Sequence, residues 1–229
     1  MTTAPTSRLH RLTTPRAAAL AGVLFAVLFG TALVLVRTAI PDNVEQGVRW
    51  VDPDSSRVTL AATLIPFAGI AFLWFIGVVR DGFGQFEDKF FSSVFIGSGL
   101  LFVAMTFVWS AVGLSLVRVD TAIIDSTARS EVVAFAHLLM ETLSQTYALR
   151  MASVCMISLA TIWLRTGLMP RWLVGVSYAL AVALMVASEV SMWVTLAFPV
   201  WVLVVSVILL QRAGVLGLRG GHDGPVRTD

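Results

Sequence analysis

Six apolar stretches dominate the sequence, at 17–40, 58–79, 90–117, 147–164, 172–187 and 192–210, with polar or charged segments between them. A helix rising 1.5 Å per residue needs about 20 residues to cross a hydrocarbon core of roughly 30 Å. Five of the six stretches fit that length. The stretch 172–187 is short, and its boundary with the next, at Ser188-Glu189-Val190-Ser191, is the least sharply drawn. The pattern predicts an all-α fold: a six-helix transmembrane bundle in one membrane domain, with short loops and no soluble domain.

Composition points the same way. Apolar residues make up 57% of the chain and charged residues only 13%, whereas a water-soluble domain is about a quarter charged because water must solvate its surface. A chain with a mean hydropathy of +0.86 calls for a lipid solvent. Its basic residues are spread along the chain and do not alternate with aromatic residues, so nucleic acid is not an expected partner. Cys155 is the only cysteine, which rules out an intrachain disulfide and a multi-cysteine metal site.

The first apolar run, unbroken from Ala17 to Val36, follows Arg8, Arg11 and Arg16. It is about twice the length of a signal-peptide apolar region, and Arg37 and Pro41 follow it in place of a small-residue cleavage site. It is expected to be an uncleaved first span. Residues 1–16 and the Gly- and Arg-rich 211–229 are expected to be disordered tails.

Orientation follows from arginine and lysine. With the amino terminus inside, the inner segments hold ten basic residues (Arg8, Arg11, Arg16, Arg80, Lys89, Arg165, Arg171, Arg212, Arg219, Arg227) against five outside (Arg37, Arg49, Arg57, Arg118, Arg129). The positive-inside rule therefore places both termini in the cytoplasm, and the expected location is a bacterial cytoplasmic membrane.

Residues 131–164 contain neither Gly nor Pro and read as one helix of about 50 Å, longer than the hydrocarbon core. Within it His137, Glu141 and Gln145 recur every four residues, which places them on one face of an α-helix. Ala148, Ala152 and Cys155 continue that face with small side chains suited to helix packing. His137 and Glu141 are candidates for a proton relay or a metal pair. Two ligands fall short of the three or four that zinc needs, so no metal or other cofactor is expected. The commoner role for such a cluster is hydrogen bonding at the interface.

Arg150 falls inside the fourth span. A guanidinium at the centre of a bilayer costs about 2.5–3.5 kcal/mol, and Glu189, in the turn between the last two spans, is the candidate counter-ion. In the third span Ser92, Ser93, Gly97, Ser98, Gly99 and Gly113 suggest close helix approach.

In Arg165-Thr166-Gly167-Leu168-Met169-Pro170-Arg171-Trp172-Leu173, Gly167 is placed to end one helix and Pro170 to open the next. This segment resembles a short hairpin in small bacterial membrane families of unknown function, and 88–105 is similar to uncharacterised actinobacterial proteins of this size. The resemblance implies a six-span topology and carries no activity. No Ser/His/Asp set, HExxH or intramembrane carboxylate cluster is found in the sequence. The expected function is a non-catalytic accessory component surrounded by lipid, partnered by another membrane protein or by copies of itself. A small transporter or channel with a polar outer vestibule is the alternative, and a lipid-directed enzyme ranks third.

Overall fold

The computed structural model describes residues 14–39, 55–81, 89–120, 126–187 and 192–212. Its α-helices are α1 (Thr14–Ala39), α2 (Ser55–Asp81), α3 (Lys89–Asp120), α4 (Ser126–Glu141), α5 (Leu149–Thr166), α6 (Arg171–Ala187) and α7 (Ala197–Arg212). A π-helical turn, Thr142–Ala148, joins α4 to α5 without a break, and a 3₁₀ turn, Met192–Leu196, leads into α7. There is no strand among the described residues.

Among the described residues, five helices are long and apolar enough to cross a membrane: Ala17–Ala39, Ser56–Asp81, Lys89–Arg118, Ser130–Thr166 and Val194–Arg212, with Arg171–Val186 a shorter apolar helix. This is a multi-pass membrane protein. Five of the expected stretches coincide with helices to within a few residues. The fourth stretch, 147–164, is the C-terminal part of a helix running over 126–166, in keeping with the single long helix expected over 131–164, and α1 takes in Thr14, Pro15 and Arg16 from the expected tail. The remaining tail residues, 1–13 and 213–229, lie outside the described residues.

α1 runs antiparallel to both α2 and α7, because a rising position on α1 meets a falling position on each of them. Phe25 on α1 meets Phe72 on α2 and Phe198 on α7, while Gly22 lies against Phe75 and Ser206. A Cβ at Gly22 would overlap the Ser206 hydroxyl, so α1 and α7 approach at a spacing that only glycine permits. At Gly99 of α3 a Cβ would meet the Cδ1 methyl of Ile76 on α2, the far end of a side chain that can shift to make room. Gly113 abuts Met140, whereas Gly97 faces open space. The close approach expected of the third span therefore falls on two of its glycines.

Aromatic rings fill the core. Phe25 and Phe29 of α1, Phe72 and Phe75 of α2, Phe102 of α3 and Phe198 of α7 form one cluster, with centroids 4.6 Å apart for Phe25–Phe72 and 4.8 Å for Phe102–Phe198. Trp201 extends it at 6.1 Å from Phe198, and Trp163 of α5 at 6.2 Å from Trp201. Offset and edge-on ring pairs contribute roughly 0.5–1.5 kcal/mol each beyond the area they bury. The run of rings ties five helices together.

Polar ties bridge the helices at fewer points. Pro66 inside α2 has no N–H to give the Ala62 carbonyl one turn earlier. Ser110 of α3 supplies a donor instead, its hydroxyl reaching Ala62 O at 3.3 Å. At α6, the Trp201 indole N–H donates to Ser177 Oγ at 2.8 Å, and the Thr161 and Tyr178 hydroxyls pair at 2.6 Å. Gly167, at φ 64°, returns its N–H to Trp163 O at 2.9 Å and ends α5. The Pro170 carbonyl then accepts from Leu173 and Val174, which opens α6 as the sequence predicts.

Candidate functional site

The π turn is the structural feature the sequence pattern does not foresee. Here the Leu149 N–H donates to the Ser144 carbonyl, five residues back, where an α-helix would bond four back. The local composition suits it. Thr142, Ser144 and Thr146 place hydroxyls at alternate positions, and two of them bond the preceding turn: Thr142 Oγ1 to Leu138 O at 2.8 Å and Ser144 Oγ to Glu141 O at 3.2 Å. Such back-bonding offers carbonyls an alternative to the α ladder and bends helices.

A π turn holds one residue more than the α geometry allows, so the helix faces before and after it are out of phase by about 100°. On α4 the buried apolar positions are Val133, Ala136 and Met140, and Met140 packs on Gly113 of α3. Continued as pure α-helix, that line would pass through Tyr147, Met151 and Val154. The buried line on α5 instead runs through Ala148, Ala152 and Cys155, and the Cys155 thiol meets the Ser98 side chain of α3. Tyr147 is 55% exposed. The extra residue exchanges a bulky line for a small one facing α3.

This revises the single polar-then-small face. Gln145, inside the turn, is buried, while His137 and Glu141, on the far side of the phase shift, are each half-buried. The Nδ1 atom of His137 is enclosed without a hydrogen-bond partner among the described residues. No group of three His, Cys, Asp or Glu side chains gathers into a metal site among them. Arg150 is half-buried and engaged in an interaction. Its expected partner, Glu189, lies outside the described residues.

Beside the turn is a cavity of about 20 Å³ lined by Phe29, Leu33, Phe102, Thr106, Trp109, Ser144, Ala148, Leu149, Thr195 and Phe198. That volume accommodates roughly one water molecule. Its polar lining comes from three hydroxyls. Thr106 Oγ1 donates to the Phe102 and Val103 carbonyls at 2.9 and 2.8 Å, Ser144 Oγ to Glu141 O, and Thr195 Oγ1 accepts from Arg37 Nη2 at 3.4 Å. Thr106, Trp109, Thr195 and Arg37 were not among the residues the sequence singled out for chemistry. They come from three different apolar stretches, and nothing in any one stretch announces the meeting. The hydroxyls at 142, 144 and 146 are no specific signal for the turn, since Ser153, Ser158 and Thr161 make the same bonds within regular α5.

At the opposite end of the bundle the Arg165 guanidinium lies 4.8 Å from the centre of the Phe91 ring, and Arg212 donates to the Leu168 carbonyl. Arg80, Lys89, Arg165, Arg171 and Arg212 all lie at this end of their helices. Comparison with known protein families, curated proteins and solved structures finds no match to this chain.

Proposed function

We propose that the chain is a non-catalytic membrane component that works by packing against another membrane protein or a copy of itself. The observation that carries this reading is the ring cluster. Phe25, Phe72, Phe102 and Phe198 interlock where four helices meet, a place where a carrier would need room for its solute. Outward faces of the bundle are apolar, including Leu20, Leu24 and Val27 on α1 and Trp172, Val176 and Val186 on α6. Native mass spectrometry after mild extraction from the host membrane tests the proposal. A stoichiometric complex is expected, and a chain that emerges strictly monomeric would count against it.

In this reading α6 is the fifth of six crossings, both termini face the cytoplasm, and the host membrane is a bacterial cytoplasmic one. The five basic residues named above support that orientation through the positive-inside rule. A reporter that fluoresces only in the cytoplasm, fused after Asp229, is expected to shine; a dark but stable fusion reverses the orientation.

A small transporter is the second reading, favoured by half-buried His137 and Glu141 one helical turn apart. Flux in liposomes that disappears with Glu141→Gln would replace the first reading with the second.

A further inference from the structure

Alongside α4 and α3 lies an open groove of about 300 Å³, lined by Val108, Ala111, Val112, Ser115 and Leu116 of α3 with Val132 and Ala136 of α4. We propose that this groove binds one acyl chain of a membrane phospholipid whose phosphate is held by Arg118. The argument rests on depth, shape and charge, and uses only the crossing of the membrane by α3.

The crossing segment of α3 is Lys89–Arg118. Measured from its midpoint at 1.5 Å per residue, Val108 lies about 7 Å from the membrane centre, Leu116 about 19 Å and Arg118 about 22 Å. The hydrocarbon ends at about 15 Å and the headgroup region at about 20–22 Å. The groove therefore runs along the outer part of one leaflet, parallel to the acyl chains, and ends at the level of the phosphates. Its lining is apolar throughout except for Ser115, whose hydroxyl donates to Ala111 O at 2.8 Å.

At the mouth, Arg118 is exposed one helical turn beyond Ser115, on the groove side of α3. It already takes part in an interaction, but a guanidinium has five N–H donors, and phosphate is a preferred partner for its forked geometry. On α4 the exposed Glu131 directly precedes the lining residue Val132. The mouth thus offers a guanidinium with a carboxylate nearby, a setting that suits a phosphate carried on a neutral or singly charged headgroup more than a highly anionic one. α4 leans on α3 through Gly113 and Met140, and the groove opens beside that contact.

The test uses the full-length protein reconstituted into vesicles of phosphatidylcholine and phosphatidylglycerol with a minor share of diacylglycerol, then returned to mild detergent. Native mass spectrometry counts the phospholipid that stays bound. Wild type is expected to retain one molecule. Ala111→Phe, which fills the groove from an exposed position, is expected to lower retention about tenfold, and Val108→Phe serves as a second filling variant should the first fail to fold. Val200→Phe, on an exposed face of α7, is expected to change nothing. Arg118→Gln is expected to release the phospholipid while leaving retention of diacylglycerol, which has no phosphate, unaltered. The proposal is overturned by a wild type that retains no phospholipid, by folded filling variants that retain as much as wild type, or by Arg118→Gln retaining phospholipid undiminished. It also fails if the filling variants alter oligomer mass instead of bound lipid, since the groove would then be a protein interface.

Discussion

α4 and α5 are two halves of one unbroken helix, joined through the π turn, yet they occupy different surroundings. α4 leans on α3 with a narrow line of buried side chains and turns Phe135 and Leu138 outward, 67% and 58% exposed. α5 is enclosed on several sides: Ala152, Met156, Leu159 and Ala160 have no exposed surface at all. A straight α-helix would impose one phase on both halves, and the bulky line through Tyr147 and Val154 would then meet α3. The π turn lets each half present its own best face. The contrast teaches that the helix is specified by its neighbours, half by half, and that the hydroxyl-rich turn absorbs the mismatch.

Deletions break the comparison most severely. Removing Thr146 from the turn is expected to give a continuous α-helix with both buried lines in register, leaving a folded protein. Removing Ser158 from α5 rotates the following residues, Leu159 to Trp163, by about 100° off their neighbours and is expected to abolish folding. Size-exclusion chromatography of fluorescent fusions separates the outcomes, and equal damage from both deletions would remove the register argument. Truncations come next. Met156→Ala is expected to cost about 2–5 kcal/mol, and Leu138→Ala, on the outward side of α4, about 0.5 kcal/mol or less. Unfolding in mixed detergent reads both, and similar values would mean α4 is as enclosed as α5.

Smaller effects sharpen the boundary of α5. Gly167→Ala forces a side chain into the left-handed region and is expected to cost about 1–2 kcal/mol, read as a lower Tm. Tyr178→Phe removes the bond to Thr161 and is expected to cost about 0.5–1.5 kcal/mol, with faster amide exchange in α6. Ser110→Ala should cost about 1 kcal/mol in wild type and less in a Pro66→Ala background, because replacing the proline returns a backbone N–H to the Ala62 carbonyl. An unchanged cost in that background would show that Ser110 does not serve the proline's missing donor.

Much of the helical layout was legible because it rests on local properties. Apolar length marks the spans, and Gly167 and Pro170 mark the turn between α5 and α6 through backbone rules that need no tertiary information. The meeting of Phe25, Phe72, Phe102 and Phe198 was not legible, since each ring sits in a different stretch and no spacing within one stretch records a contact with another. The cavity lined by Thr106, Ser144 and Thr195 was hidden for the same reason. The fault between His137 and Ala148 was missed on different grounds. A four-residue repeat assumes a constant 3.6 residues per turn, and nothing local in the stretch marks the residue at which that pitch changes.

Cys155 is buried to 1% exposure between α5 and α3, and it is the one sulfhydryl in the chain. Membrane-impermeant maleimides in water have no route to it, so the native protein serves as a silent background for labelling. A cysteine introduced at an exposed position such as Arg57 or Arg171 is then the sole reactive thiol, and reagent added to one side of intact cells reports on which face that position lies. The sidedness of every helix end can be mapped one residue at a time without disturbing the packing at Cys155.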